Sequence, residues 1–439
     1  MPVERARKAG IYASLFTVFL WLIMTAGVGT AKAETTADSL HLNVKAAVLI
    51  EAETGQILYS MNADQLRHPA SMVKMMTEYI VAESIAEGKL RWEDEVTITE
   101  YAQAMPGSGI PLAAGHVYTV RDLFRQMSIN SSNDATVALA EAVAGTEEKF
   151  VHLMNEKARE FGLSEGAMFT NSTGLNKEDT GKYSPNIPGE SMFTALDAAK
   201  LAQRIILDHP EVLEFTSTPR ATERENDPNS HVMDNWNWML ENWKEYNNNF
   251  SRDFAYDGLD GLKTGHTDEA GWCFTGTAVR NGVRLISVVM GAETERGRFE
   301  ETRKLLDYGF NNFEKQVIVP AKSTVDSLPE VEIKKGKSKR VKIVTEKGIE
   351  LIVKKGTDLS LFTLEATPVD EEQRIAPIEK NQKLGVATLK YAGTDQQFGN
   401  IEVSLVAAED VEKAGWFTLL LRGIGEFFKN LFESIKNLF

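Results

Sequence analysis

The chain has 439 residues, a formal net charge of −15 at pH 7 and a single cysteine, Cys273. This acidic balance argues against a nucleic-acid-binding protein, because the phosphate backbone selects for basic surfaces. One cysteine excludes an internal disulfide framework, and the length permits two or three domains that each bury a core.

The first 33 residues predict a secretory signal peptide. Arg5, Arg7 and Lys8 give a basic start, an apolar run follows from 11 to 28, and Ala31-Lys32-Ala33 forms a small-residue cleavage motif. An uncleaved membrane anchor is the alternative, which the Ala-x-Ala motif disfavours. We therefore expect an exported protein whose mature chain begins at Glu34.

Residues 34–313 predict an α+β domain in which one antiparallel sheet is flanked by helices. Strand patterns stand at both ends of this stretch, and apolar residues at helical spacing occupy its middle. Since strands at the two ends can pair in one sheet, the helices between them would cover it. The strands are expected at 44–51, 56–60, 272–279 and 283–290, and the helices at 71–88, twice within 118–145, and at 147–162, 193–208 and 297–311.

The stretch 217–258 is polar and irregular, with Trp236, Trp238 and Trp243 among asparagines. It predicts a surface loop anchored by aromatic side chains, and a lobe or lid over a cleft is the alternative. Cys273, in an apolar strand pattern, is predicted to be a buried packing residue.

Two further regions follow the first domain. Short alternating strands dominate residues 314–410 and predict a small all-β domain. Residues 411–439 predict an amphipathic helix with apolar Phe417, Leu420 and Ile424 on one face and Trp416 at its start. Charges recur too often for a membrane-spanning segment, so we favour an in-plane membrane anchor. A helix packed on the body of the protein is the alternative.

Three short motifs carry the chemistry. In Ser71-x-x-Lys74, the spacing places both side chains on one face of a helix, where a shielded lysine can take the proton of a serine nucleophile. By itself this pattern is weak, because a capping serine and a solvated lysine give the same letters. Ser131-x-Asn133 and Lys263-Thr264-Gly265 follow in that order, and the three together are specific.

With these motifs the chain resembles the penicillin-recognising serine enzymes. The surrounding residues, Pro69 to Thr77, Ser132 to Ala135 and Asp260 to Thr267, are similar to those of the D-alanyl-D-alanine carboxypeptidases, low-molecular-mass penicillin-binding proteins of the Bacillus type. The resemblance covers nearly the whole chain. It implies a β-lactamase/transpeptidase-like catalytic domain, then the small all-β domain and the C-terminal amphipathic helix.

The resemblance also implies roles for the motif residues. Ser71 would attack the penultimate D-alanine carbonyl of a peptidoglycan stem peptide, Lys74 would take its proton, and Ser131 would relay a proton to the departing D-alanine. The substrate-binding residues would be those that hold its amide, carboxylate and backbone: Asn133, Lys263, Thr264, Gly265 and His266. The backbone N–H groups of Ser71 and His266 would form the oxyanion hole.

The resulting hypothesis is a serine-type D-Ala-D-Ala carboxypeptidase of cell-wall biogenesis, acylated by β-lactam antibiotics and held at the outer face of the bacterial cytoplasmic membrane. A serine β-lactamase and a non-catalytic penicillin-sensing or cell-wall-binding module are the alternatives. Rapid turnover of penicillin would favour the first alternative, and failure to release D-alanine the second. No cofactor is expected, and the scattered histidines show no metal-ligand spacing, so no metal is expected either.

Overall fold

A computed structural model describes residues 40–223, 230–246, 253–393 and 398–436. The predicted signal peptide, 1–33, lies outside the described residues. The described residues divide into two compact units. One comprises 40–315 together with Ile352–Lys355, and the other comprises Gln316–Leu351 together with the residues from Gly356 onward.

The first unit is built on a five-stranded antiparallel sheet in the order β2-β1-β9-β8-β7. Two antiparallel strand pairs, β3–β4 and β5–β6, lie outside this sheet. The strands are β1 (Ala46–Glu51), β2 (Ile57–Met61), β3 (Glu95–Thr97), β4 (Val117–Thr119), β5 (Arg220–Glu223), β6 (His231–Asp234), β7 (Leu259–Thr267), β8 (Gly271–Arg280) and β9 (Val283–Ala292).

Helices cover both faces of the sheet: α7 packs against β1 and β9, and α9 against β8 and β9 on the other face. Several begin with threonine caps, as α3 does, where Thr119 and Asp122 form a capping box. The helices are α1 (Lys74–Ala86), α2 (Glu100–Gln103), α3 (Val120–Asn130), α4 (Asn133–Ala144), α5 (Glu147–Glu160), α6 (Lys177–Thr180), α7 (Ala195–Asp208), α8 (Val212–Thr216) and α9 (Glu295–Asn312).

Strand β1 shows why the sheet is central. Ala46, Val48 and Ile50 belong to the core on the α7 side of the sheet, whereas Ala47 and Leu49 belong to the core on the α9 side. Successive side chains of a strand point to opposite faces, so a strand covered on both sides must be apolar at every position. The continuous run Ala46–Ile50 meets that requirement.

The second unit contains a five-stranded antiparallel sheet in the order β11-β12-β16-β15-β14 and the helix α10. The predicted α+β fold with a following all-β domain is confirmed. The remaining elements are β10 (Phe313–Val319), β11 (Glu330–Glu332), β12 (Arg340–Thr345), β13 (Ile349–Lys354), β14 (Phe362–Pro368), β15 (Lys383–Tyr391), β16 (Glu402–Ala407) and α10 (Trp416–Lys436).

Helix α10 exposes large apolar side chains. Arg422 ties it to the turn before β12 by donating to the carbonyls of Gly336 and Lys337, at 2.7 and 3.0 Å. Among the described residues, no helix combines the length and the apolar character that crossing a membrane requires. The exposed apolar residues are Trp416, Phe417, Leu420, Leu421, Ile424, Phe427 and Phe428.

The stretch 217–258 is more ordered than the expected surface loop. Its described part contains the β5–β6 hairpin, which packs on α3 through Ala221 and Met233 against Ile129. Trp243 is 1% exposed in the core on the α9 side and donates its indole N–H to the Asn237 carbonyl at 2.8 Å. Trp243 therefore anchors the segment by burial within the domain, whereas Trp236 is 44% exposed and donates its indole N–H to the Asn130 carbonyl at 3.2 Å.

Candidate active site

Ser71 lies in a 3₁₀ turn, Ala70–Val73, that leads directly into α1. Two glycines allow other segments to approach this turn. A Cβ atom on Gly174 would stand 2.0 Å from the Ala70 carbonyl oxygen, and one on Gly265 would stand 2.7 Å from the Pro69 carbonyl oxygen. Only a residue without a side chain permits such approaches, so the loop of Gly174 and the strand β7 are both pressed against the serine turn.

Lys74 is completely buried, and its Nζ lies 3.0 Å from Ser71 Oγ. The same nitrogen lies 2.6 Å from Asn133 Oδ1 and 2.9 Å from the Thr173 carbonyl oxygen. Burial, followed by the positive charge of Lys263, lowers the pKa of Lys74 well below its ordinary value. The lysine is therefore held next to the serine in surroundings that favour the neutral amine.

Ser131 and Asn133 reach the site from the junction of α3 and α4. Ser131 ends α3 in the left-handed region with a φ of 59°, and Asn133 begins α4. The Asn133 Nδ2 group donates to the Pro106 carbonyl at 2.6 Å, which directs Oδ1 towards Lys74. An amide nitrogen has two hydrogens, so one Asn133 N–H remains available to a substrate carbonyl.

Strand β7 supplies the third motif. Lys263 is 2% exposed, and its Nζ donates to Ser131 Oγ at 2.9 Å and to the Thr264 carbonyl at 3.3 Å. Burial lowers the pKa of Lys263 to about 8; the Glu78 charge acts to raise it, and Arg298 acts to lower it further. Thr264 is 6% exposed next to it. A cation and a hydroxyl side by side can bind a carboxylate.

The His266 ring turns away to stack on Trp272, with centroids 3.7 Å apart and planes 24° apart. Burial, followed by the Arg298 charge, lowers the pKa of His266. With its ring engaged on Trp272, the residue can serve the site through its backbone, one position beyond Gly265.

A groove of about 500 Å³ adjoins the end of β7 beyond Gly265. Strand β7 passes Lys263 first, then the serine turn and then this groove. An extended ligand bound along the strand would therefore continue into the groove. Residues lining the groove include His68, His266, Asp268, Glu269, Trp272 and Glu293.

The sequence predicted a loop at 170–175 but not its part in the site, where the Thr173 carbonyl contacts Lys74. Asn171 Oδ1 accepts hydrogen bonds from Thr173 N at 3.1 Å and Gly174 N at 2.6 Å, forming a local turn. Glu147 holds the same loop by accepting from Ser172 N and Oγ at 2.8 and 2.6 Å. An asparagine three residues before a glycine indicated the turn, but no local pattern linked it to Lys74.

All three predicted motifs therefore meet in one cleft of the first unit. Ser71, Lys74 and Asn133 form one hydrogen-bonded group, and Ser131 and Lys263 form a second. In the part of the chain that the structure describes, no group of three or more histidine, cysteine or acidic side chains is arranged to hold a metal ion.

A buried lysine beside a serine, on a sheet flanked by helices, defines the class of Ser-x-x-Lys acyl-transfer enzymes. Residues 32–294 match the family described as D-alanyl-D-alanine carboxypeptidase, and residues 313–413 match the C-terminal domain of penicillin-binding protein 5. The chain belongs to the D-alanyl-D-alanine carboxypeptidase family, as predicted.

Individual relatives agree with this membership. The chain is 36% identical to D-alanyl-D-alanine carboxypeptidase DacF of Bacillus subtilis, over 90% of this chain and 92% of the relative. The structure of penicillin-binding protein 5 from Haemophilus influenzae matches with a TM-score of 0.66 and 31% identity, over 85% of this chain and 98% of that one. Penicillin-binding protein D2 from Listeria monocytogenes, solved with ampicillin bound, matches with a TM-score of 0.50 and 33% identity, over 62% and 99%.

Proposed function

We propose that the protein releases the terminal D-alanine of peptidoglycan stem peptides through an acyl-enzyme formed on Ser71. The observation that carries the proposal is the completely buried Lys74, whose Nζ lies 3.0 Å from Ser71 Oγ. A serine hydroxyl is a weak nucleophile until an adjacent base accepts its proton.

The hydrogen bonds around Lys74 support its role as that base. A neutral amine has two N–H groups and one lone pair. The Asn133 amide oxygen and the Thr173 carbonyl only accept hydrogen bonds, so they would take the two N–H groups. The lone pair is then left for the Ser71 hydroxyl, which can give up its proton as it attacks the carbonyl carbon of the penultimate D-alanine.

The second hydrogen-bonded group supports the handling of the leaving D-alanine. Lys263 and Thr264 would bind the terminal carboxylate. Ser131 Oγ, 2.9 Å from Lys263 Nζ, would relay to the departing amine the proton that Lys74 took from Ser71, which returns Lys74 to its neutral form. The backbone N–H groups of Ser71 and His266 would stabilise the oxyanion, and the remaining Asn133 N–H would bind the substrate amide. Water, deprotonated by Lys74, would then cleave the ester.

The same steps would make β-lactams covalent inhibitors, since their strained amide presents a carbonyl to Ser71 and a carboxylate to Lys263. The ampicillin complex of the Listeria relative supports this extension. A long-lived acyl-enzyme, rather than rapid turnover, is expected, in contrast to the β-lactamase alternative.

The direct test replaces Ser71 by alanine and follows two products. The Ser71→Ala variant should form no covalent adduct with labelled penicillin by intact-protein mass spectrometry and should release no D-alanine from a synthetic D-Ala-D-Ala peptide. Ser84→Ala is the matched control, because Ser84 is a buried serine on α1, the helix that follows the Ser71 turn, and its hydroxyl donates to the Ile80 carbonyl. An adduct on Ser71→Ala would refute the assignment.

We further propose that the protein is exported, with 1–33 removed, and that 34–313, 314–410 and 411–439 act as catalytic domain, small β domain and membrane anchor. The anchor rests on α10, where the exposed fractions of Trp416, Phe417 and Phe427 are 78%, 58% and 65%. An amphipathic helix of this kind lies in the plane of a lipid surface.

Vesicle flotation tests the anchor. The full-length mature chain should float with phosphatidylglycerol–phosphatidylethanolamine vesicles, and a chain ending at Glu412 should remain in the soluble fraction. The double variant Leu420→Glu/Ile424→Glu is the control that keeps the chain length, and it should also fail to float. Flotation of the shortened chain would contradict the proposal.

A further inference from the structure

A second buried charge lies beside the catalytic lysine. Glu78 is one helical turn after Lys74 on α1, and both residues are completely buried. Glu78 Oε1 accepts a hydrogen bond from Ser128 Oγ on α3 at 2.8 Å. Glu78 Oε2 has no hydrogen-bond partner among the described residues. The mechanism proposed above leaves this carboxyl group unused.

A buried carboxyl group with one oxygen unpartnered is costly, and its retention calls for a physical reason. A structural tie between α1 and α3 would need only the Ser128 bond, which a neutral glutamine could also accept. The distinctive property of Glu78 is therefore its capacity for negative charge inside the domain, where charges interact more strongly than in water.

That charge acts on both lysines of the site. Burial raises the pKa of Glu78 to about 7. Three interactions act to lower it, in decreasing order the Lys263 charge, the Ser128 hydrogen bond and the Lys74 charge. In return, ionised Glu78 acts to raise the pKa of Lys263 and of Lys74. The other charged groups that act on these lysines are Arg298 on Lys263, and Asp134 and Glu147 on Lys74.

We infer that Glu78 is a positioning residue whose buried negative charge keeps Lys263 cationic, so that Lys263 can hold the terminal carboxylate of the substrate. Among the residues that the structure describes, Lys263 has direct hydrogen bonds only to the neutral Ser131 hydroxyl and Thr264 carbonyl, so its charge is balanced at a distance. This inference rests on the carboxylate-binding role proposed for Lys263.

The two opposite charges give the inference a definite sign. Ionised Glu78 acts to raise the pKa of Lys263, because a nearby negative charge stabilises the ammonium form. Removing the Glu78 charge must therefore lower the pKa of Lys263. At more acidic pH Glu78 is itself protonated, so its removal has less effect there. The Glu78→Gln variant should therefore lose kcat/KM mainly on the alkaline side of the pH profile.

The experiment compares pH profiles of kcat/KM for Glu78→Gln and the unmodified protein, using D-alanine release from a D-Ala-D-Ala peptide. The alkaline limb should move to lower pH by on the order of one unit, and the acidic limb should move less. Ser128→Ala is a second variant: losing its hydrogen bond raises the pKa of Glu78 and should shift the alkaline limb in the same direction by less. Glu301→Gln, which removes a carboxyl group that is 6% exposed on α9, should leave both limbs unchanged.

A purely structural role predicts a different result. If Glu78 only tied helices together, Glu78→Gln would lower kcat/KM by the same factor at every pH, and an alkaline limb left in place would overturn the inference. Penicillin labelling of each variant at its optimum confirms that the folded site is present. Labelling that persists in Ser71→Ala would instead refute the proposed nucleophile, so the two failures are distinguishable.

Discussion

Two regions of the molecule use the same side chain in opposite ways. In the catalytic unit, Lys74 and Lys263 are 0% and 2% exposed, and each donates to neutral oxygen atoms. In the turn between β11 and β12, the side chains of Lys334 and Lys337 are 55% and 65% exposed and form ion pairs with Glu371 and Glu412. Burial lowers the pKa of Lys74 and of Lys263, whereas Lys334 and Lys337 are solvated charges.

The difference follows from solvation. Burial of an ammonium group removes its hydration and favours the neutral amine, which lowers its pKa and makes it a base. An exposed lysine keeps its charge, and its ion pair contributes little because water and salt screen it.

Replacing Lys74 by methionine should lower kcat/KM by about 10³-fold, because the serine loses the base that lies beside it. D-alanine release and the rate of penicillin acylation measure the loss. Lys337→Met is the matched control in the exposed turn and should change neither rate by more than about twofold. A Lys74→Met variant that retained full acylation would remove Lys74 from the mechanism.

Replacing Lys263 by methionine should lower kcat/KM by about 10²-fold for a substrate with a free terminal carboxylate, because the buried cation that binds it is gone. A matching peptide amide, which has no carboxylate, should lose much less. The ratio of the two losses isolates the carboxylate contact. Equal losses on both substrates would contradict the proposed role.

Replacing Gly174 by alanine should lower the free energy of unfolding by about 3 kcal/mol, because the new Cβ meets the Ala70 carbonyl oxygen and the residue has a φ of +83°. Gly88→Ala is the control: its φ is +72°, but nothing lies within 4 Å of the added atom. It should cost about 1 kcal/mol from backbone strain alone. Chemical denaturation measures both, and equal costs would mean that the close approach is unimportant.

The pH dependence of the unmodified protein should follow Lys263. Its pKa is lowered to about 8, so the side chain is charged below that pH and loses its charge as the pH rises through it. For the carboxylate substrate, kcat/KM should fall above about pH 8, and KM should account for much of the fall. The peptide amide should lack this alkaline loss, and a common decline for both substrates would point to another group.

The smallest effect is expected for the exposed ion pair of Lys337 and Glu412. Lys337→Ala should change the free energy of unfolding by less than about 0.5 kcal/mol, because both side chains are mostly solvated. A loss of several kcal/mol by chemical denaturation would show that exposed lysines of this chain are not equivalent to solvated charges.

The sequence alone predicted the α+β class, because strand patterns at both ends of the first domain and helical patterns between them depend on local periodicity. It also predicted the motif residues, from three short patterns and the family that they resemble. It did not predict the β5–β6 hairpin, because the polar residues of 217–258 do not show which of them face α3.

What the sequence determined by itself is the set of reactive groups: two serines, two lysines and an asparagine at recognisable spacings. What only the tertiary structure decided is their state. Three features of the site depend on residues that are distant in the chain. They are the Thr173 carbonyl beside Lys74, the approach of Gly174 to the serine turn and the burial of Glu78 against Ser128. A lysine becomes a base through desolvation and its neighbours, and both are properties of the packed interior.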